Sequence, residues 1–93
     1  MLTITELAVM SVLRDGFTTR HDVSVKAPEL RPERGFDGPL ALATLDRLKD
    51  FGFVVADGKH YLLTGHGIKI TKASAKHFYE LAYKLHFGVE ASS

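Results

Sequence analysis

The feature that most constrains the fold is a hairpin signal in the second half of the chain. Two runs rich in β-branched and aromatic residues, at positions 53–56 and 59–63, flank the dipeptide Asp57-Gly58. An Asp-Gly pair adopts positive φ easily, and between two such runs it favours a tight type I′ turn. The sequence therefore predicts a two-stranded antiparallel hairpin whose loop is the Asp-Gly pair.

A capped helix is predicted at the start of the chain. Thr3 and Glu6 have the spacing of a capping box, in which each side chain binds the backbone amide of the other residue. The predicted helix covers residues 4–15 and ends at Gly16, which can take the left-handed conformation of a C-terminal cap. Because this helix is apolar nearly all round, we expect it to be buried against another helix or a second subunit.

Another helix is predicted immediately before the hairpin. It opens at Asp37 or Gly38 and has Pro39 in its first turn, where the missing amide hydrogen costs nothing. Gly52 ends it. Its apolar face consists of Ala41, Leu45 and Leu48.

The segment between these two helices allows two interpretations. Thr19 followed by Asp22 can cap a short helix that ends before Pro28, because a proline disfavours helical backbone in the residue before it. Val23 and Val25 alternate with polar neighbours and would equally suit a short strand. We favour the helix, which makes the helix before the hairpin the third in the chain.

A long last helix follows the hairpin. Thr64 can cap it, and it is predicted over residues 64–87, with residues 88–93 as a flexible tail. Apolar and small residues recur along it at the spacing of a seam that two helices share. The seam consists of Thr71, Ala75, Phe78, Ala82 and Leu85. Residues 1–87 therefore form one domain, with this helix as its predicted dimerisation surface.

The composition is that of a small globular domain. The chain has 93 residues, of which 45% are hydrophobic and 25% charged, and a net charge of +1 at pH 7. These fractions exclude a disordered chain. The longest apolar runs have four residues, which is too short to span a bilayer, and no secretion signal follows Met1. We therefore expect a cytoplasmic protein with no membrane partner.

No residue pattern predicts catalysis, a cofactor or a metal site. The absence of cysteine removes disulfides, thiol catalysis and cysteine zinc sites. No two histidines have the i, i+4 spacing of a helical zinc site, although His77 and Glu80 lie one turn apart. No serine lies in a nucleophile motif. We expect the chain not to be an enzyme.

Three short motifs, residues 45–54 (LDRLKDFGFV), 61–67 (YLLTGHG) and 2–10, accompany this order of elements. Together with the order of elements they resemble winged-helix domains of PadR-like and MarR-like regulators. Residues 45–54 (LDRLKDFGFV) look like the third helix of those families and its exit into the first wing strand. Residues 61–67 (YLLTGHG) are similar to the exit from the wing, and residues 2–10 are similar to PadR-type N-termini. The resemblance implies an α+β, mostly α fold, a winged helix-turn-helix with a three-helix core, a two-stranded hairpin wing and a long C-terminal helix.

The resemblance also implies a homodimeric transcription regulator that binds double-stranded DNA. Its third helix would enter the major groove and present Ala43, Thr44 and Arg47, of which Arg47 could bond guanine. Lys59 and His60 of the wing would meet phosphate. Residues 47–93 carry 7 basic and 4 acidic side chains, which agrees with an anionic partner.

A second function is left open, in which the same fold joins proteins and binds no nucleic acid. The third helix begins Gly-Pro-Leu-Ala, which offers no hydrogen bond to a base, and it carries Asp46 and Asp50, which would repel a phosphate backbone. Arg47 could then simply pair with one of these carboxylates. Under this interpretation Leu40 and Phe36 form the contact with a protein partner, since exposed apolar patches mark interfaces.

Overall fold

The computed structural model describes residues 3–32 and 34–73, which form three helices, a hairpin and the beginning of a further helix. The elements are α1 Ile4–Arg14, α2 Arg20–Leu30, α3 Gly38–Asp50, β1 Val54–Asp57 and β2 His60–Leu63. Helix α4 begins at residue 65 and is described as far as residue 73. The predicted α+β, mostly helical class is confirmed, and the order of elements is compatible with a winged-helix-like fold. The predicted end of the last helix and the tail over residues 88–93 lie outside the described residues.

The capping box predicted for α1 is confirmed. The amide of Thr3 donates to Glu6 Oε1 at 2.7 Å, and the amide of Glu6 donates to Thr3 Oγ1 at 3.2 Å. Gly16 ends the helix with φ of 100°. Residues 6–13 are all buried, as expected for a helix that is apolar nearly all round, and α1 packs against α2, α3 and β2. The local sequence of α1, the central helix of the core, therefore determines where the helix begins and ends.

The second helix is longer than the sequence predicts. Thr19 caps it as expected and accepts from the amide of Asp22 at 3.1 Å. The helix then continues through Pro28 to Leu30, so the predicted end before Pro28 is wrong. The alternative of a short strand in this segment is wrong as well, because the residues concerned lie inside the helix.

Tertiary packing explains why Pro28 does not end α2. The proline lacks an amide hydrogen, so the carbonyl of Ser24 loses its helical partner. That carbonyl lies against Gly38, where an added Cβ would be 3.2 Å from the Ser24 oxygen. Val23 and Ala27 are fully buried and anchor α2 on the core on both sides of the lost hydrogen bond. The helix is held by packing that the local sequence does not reveal.

The third helix begins and ends where the sequence predicts. Asp37 caps it by accepting from the amide of Leu40 at 3.0 Å, and Pro39 lies in its first turn. The predicted apolar face is confirmed, because Ala41, Leu45 and Leu48 have no exposed surface. At the C-terminal end, Gly52 has φ of 83°.

The hairpin is confirmed, but its turn differs by one residue from the prediction. Val54 pairs with Leu63 and Asp57 pairs with His60, so the two-residue loop is Gly58-Lys59 instead of Asp57-Gly58. Gly58 has φ of 62°, and no non-glycine residue of the described chain has positive φ. A type I′ turn needs positive φ at both loop residues, whereas a type II′ turn needs it at the first alone. The turn therefore has the type II′ pattern, and the predicted type I′ turn is wrong.

The outer edge of β2 pairs with the segment before α2. Thr19 forms an isolated antiparallel bridge with His60. The amide of Tyr61 donates to the carbonyl of Thr18 at 2.7 Å. Strand β2 consequently lies between β1 and this segment, which fixes the hairpin against the beginning of α2.

The last helix starts close against the end of α3. As predicted, Thr64 caps it, because its Oγ1 accepts from the amide of Gly67 at 3.1 Å. The same hydroxyl donates to the carbonyl of Gly52 at 2.7 Å. Gly67 lies so near the carbonyl oxygen of Phe53 that a side chain there would overlap it. The glycine thus permits the close approach of α4 to the beginning of the hairpin.

Candidate nucleic-acid interface

The face of α3 that points away from the core carries part of the predicted DNA-binding set. Ala43 and Arg47 are exposed, as predicted. Within the part of the chain that the structure describes, Arg47 forms no ion pair, with Asp46, Asp50 or any other carboxylate. None of the described carboxylates therefore occupies its guanidinium.

Thr44 does not lie on this face, and its predicted place there is wrong. It is 0% exposed, and its Oγ1 donates to the carbonyl of Leu40 at 2.8 Å. Successive residues lie about 100° apart around a helix, which puts position 44 beside the buried positions 41, 45 and 48. Thr44 is therefore a core residue with an internally satisfied hydroxyl, and it cannot contact DNA in this fold.

Arg20 joins α3 to the hairpin, a role that no local sequence signal indicates. Its Nη1 lies 2.9 Å from Asp46 Oδ1 and donates to the Tyr61 hydroxyl at 3.3 Å. The guanidinium carbon also lies 5.9 Å from the centroid of the Tyr61 ring. Arg20 and Asp46 are 26 positions apart, so only the tertiary fold brings them together.

This network changes the electrostatics of α3. The hydrogen bond to Asp46, and after it that to Tyr61, raises the pKa of Arg20 above its already high ordinary value. The pair is half exposed, so solvent screens it and its contribution to stability is small. Its main consequence is local, because the Arg20 guanidinium partly offsets the negative charge of Asp46 next to Arg47.

The two predicted wing residues are both exposed. Lys59 occupies the second position of the turn. His60 begins β2, and its Nδ1 lies 2.7 Å from the Oγ1 of Thr18. This contact fixes the imidazole ring through one nitrogen, so any phosphate contact of His60 would use Nε2. Thr18 is a further residue of this region that sequence reasoning missed.

Most of the predicted dimer seam lies outside the described residues. Ala75, Phe78, Ala82 and Leu85 belong to that part of the chain. Thr71 is described, and it is 2% exposed in the single chain, with its Oγ1 donating to the carbonyl of Ile68 at 2.8 Å. Thr71 therefore offers almost no surface to a second copy.

The two residues predicted for a protein contact differ in exposure. Leu40 is 39% exposed, as that interpretation requires. Phe36 is 6% exposed and belongs to the hydrophobic core, so its predicted place at a contact surface is wrong. It lies directly before the cap of α3, where its burial helps to hold the start of the helix.

Other kinds of site are not found in the described residues. Within residues 3–32 and 34–73, no three His, Asp or Glu side chains lie close enough to hold a metal ion. None of the helices described there is both long enough and apolar enough to cross a membrane. No protein-family model matches the chain, and neither a curated protein nor a solved structure is significantly similar to it.

Proposed function

We propose that the chain is a winged-helix DNA-binding protein that regulates transcription, acting in the cytoplasm as a homodimer on double-stranded DNA. The exposed face of α3 enters the major groove, and the hairpin is the wing that meets the phosphate backbone. Three helices followed by an antiparallel hairpin support this proposal, since this order is compatible with a winged-helix-like fold. The proposed dimer surface is the last helix, as the sequence predicts.

The observation that carries the proposal is the state of Arg47. It is exposed on α3 with no ion pair among the described residues, while the neighbouring carboxylate of Asp46 is already bonded to Arg20. An arginine in the major groove donates two hydrogen bonds to the O6 and N7 atoms of guanine, the commonest base-specific contact. Ala43 beside it leaves room for the groove floor.

Contacts between α3 and the hairpin support the proposal that the two elements act together. Arg20 bonds to Asp46 of α3 and to Tyr61 of β2, and the Tyr61 amide bonds to Thr18. These contacts link α3 to the hairpin, and the exposed Arg20–Asp46 pair among them adds little to the stability of the domain. Lys59 at the turn supplies a charge for phosphate, which positions the protein without reading sequence.

Salt dependence of DNA binding tests the proposal. The full chain is titrated into a labelled duplex over a series of salt concentrations, and binding is followed by fluorescence anisotropy. The logarithm of the binding constant should fall by about 0.9 for each phosphate contact per tenfold rise in salt. Binding that does not change with salt, or no binding at low salt, would contradict the proposal.

A protein-binding module is the second candidate function, because exposed apolar side chains favour it. Phe51 is 58%, Val55 49% and Leu62 42% exposed. Val55 and Leu62 are cross-strand partners and therefore lie on the same face of the hairpin. Neighbouring exposed apolar residues of this size are typical of protein contact surfaces.

Two double variants separate these candidates. Arg47→Ala with Lys59→Ala removes charge from the proposed DNA surface, and Val55→Thr with Leu62→Thr removes apolar surface while β-branched residues keep the strands. Loss of DNA binding in the first variant and not in the second supports the DNA-binding protein. If the chain binds no DNA and the second variant alone loses a protein partner, the module is supported instead.

A further inference from the structure

A small cavity that is open to solvent lies between the ends of α1 and α2, apart from the residues assigned to DNA binding. Its volume is about 260 Å³. Three apolar residues, Val12, Phe17 and Leu30, line it together with Asp15, Lys26 and Glu29. Its size suits a ligand with one ring, because pockets for drug-sized molecules start at about 300 Å³.

The end of α1 fixes the wall of this cavity. The amide of Gly16 donates to the carbonyl of Leu13 at 3.1 Å, and the amide of Phe17 donates to the carbonyl of Val12 at 3.2 Å. This pair of bonds is a Schellman motif, which brings together the residues after and before the helix end. Phe17 and Val12 therefore lie together in the lining of the cavity, although Phe17 is 40% exposed.

The Phe17 ring already holds a cation. The ammonium nitrogen of Lys26 lies 5.2 Å from the ring centroid, within the range of a cation–π interaction. Its ion pair with Glu29 is long, at 3.7 Å, and both side chains are about half exposed or more. An exposed pair of this kind adds little stability, so the lysine can leave the ring at small cost.

The charge of the lining favours a positive ligand. Asp15 and Glu29 contribute two carboxylates, against the single ammonium of Lys26. The last turn of α2, which carries Glu29, contains no basic residue, and the first basic side chain after it is that of Arg31 at the C-cap. If Lys26 turns away into solvent, the cavity keeps an aromatic face, an apolar floor and two carboxylates.

We propose that this cavity binds a small organic cation with an apolar body, such as an aryl-alkyl amine. The ligand's ammonium takes the place of the Lys26 ammonium over the Phe17 ring and near the two carboxylates, while its apolar part packs on Val12 and Leu30. The site goes beyond the proposed function and does not depend on DNA binding.

Nuclear magnetic resonance titration of the full ¹⁵N-labelled chain tests the site. The probe is 2-phenylethylamine, which is cationic at pH 7, and the matched anion is phenylacetate. A ligand this small should bind weakly, in the millimolar range. Saturable shifts of amides in residues 12–17 and 26–30 with the amine, and weaker or no shifts with the anion, are expected. Equal binding of both ligands, or of neither, would overturn the proposal.

The direction in which one substitution changes amine affinity is the sharper test. Lys26→Gln removes the internal competitor and should tighten amine binding about two- to fivefold, the range of an exposed cation–π contact. Phe17→Leu should weaken it by a similar factor. Lys49→Gln, an exposed lysine of α3, is the control and should change nothing. If Lys26→Gln weakens binding while the spectrum remains that of the folded chain, the cation site is contradicted.

Discussion

The Nη1 atom of Arg20, the first residue of α2, lies 2.9 Å from the Oδ1 atom of Asp46 in the middle of α3. The same nitrogen reaches the Tyr61 hydroxyl in β2. One side chain therefore connects three elements of the fold, and it does so beside Arg47, on which the proposed function depends. The pair sets the charge of this surface more than it stabilises the domain.

A double-mutant cycle measures the worth of the Arg20–Asp46 pair. Arg20→Ala, Asp46→Ala and the double variant are unfolded in urea, and the coupling is expected to be about 0.2–1 kcal/mol because the pair is solvent-screened. The coupling should shrink in high salt. Asp46→Ala alone should also leave DNA affinity equal to or higher than that of the parent chain. A coupling of several kcal/mol would mean that the pair is less exposed in solution.

Substitutions of two nearby glycines should have different effects on stability. Gly67→Ala places a methyl group on the carbonyl oxygen of Phe53, and the required backbone shift should lower the free energy of unfolding by about 1–3 kcal/mol. Gly65→Ala meets nothing within 4 Å and should be neutral or stabilise by up to about 1 kcal/mol. Thermal unfolding of both variants provides the comparison. Equal effects at the two positions would contradict the close approach of α4 to Phe53.

The turn type can be tested at its two loop residues. Gly58 has φ of 62°, so Gly58→Ala should cost about 1–2 kcal/mol of unfolding free energy. Lys59 has negative φ, so Lys59→Gly relieves no strain and should destabilise by up to about 1 kcal/mol through the flexibility of the unfolded chain. A type I′ turn predicts the reverse for Lys59→Gly, which would then be stabilising.

The burial of Thr44 leads to a prediction for its substitution. Thr44→Val keeps the shape of the side chain and removes a hydroxyl that bonds only within α3, so stability should change by no more than about 1 kcal/mol. DNA affinity should be unchanged within about twofold, because the residue is fully buried. Anisotropy titrations and urea unfolding on the same preparation check both points. A large loss of affinity in a stable variant would place position 44 on the binding face.

The elements with strong local signals were predictable from the sequence. The capping box at Thr3 and Glu6, the cap at Asp37 and the glycine ends at Gly16 and Gly52 each depend on residues a few positions apart. Nearby residues therefore determine the geometry of these caps and helix ends, and the structure confirms the predictions. The hairpin belongs to this group as well, although two dipeptides could serve as its loop.

The structure differs from the sequence prediction where contacts between residues far apart in the chain determine the geometry. Helix α2 passes Pro28 because buried side chains hold it and because Gly38 accommodates the freed carbonyl of Ser24. The turn lies at Gly58-Lys59 in a hairpin whose β2 is also held by Thr18 and Thr19 on its other edge. For the candidate site, the exposure of Arg47 could be predicted from helical periodicity, but the partner of Asp46 could not.

Helical periodicity also explains the error at Thr44. The prediction assigns Thr44 to the face of α3 opposite Ala41, Leu45 and Leu48. Thr44 lies only one turn from Leu48 and within the same buried arc, where the helix carbonyl of Leu40 satisfies its hydroxyl. A threonine is therefore compatible with the core at this position.

A comparison of two basic residues of α3 on the same DNA tests whether the exposed face of α3 reads the major groove. Duplexes enriched by the full chain from a random-sequence library are titrated with the parent protein, Arg47→Ala and Lys49→Ala. Both residues are exposed, but positions 47 and 49 are two steps apart along the chain, which puts the side chains on nearly opposite sides of the helix. Arg47→Ala should weaken binding by about 1–3 kcal/mol and relax the preference for guanine at one position, while Lys49→Ala should change affinity less than threefold. Failure to enrich any sequence, or an equal loss in both variants, would contradict the account.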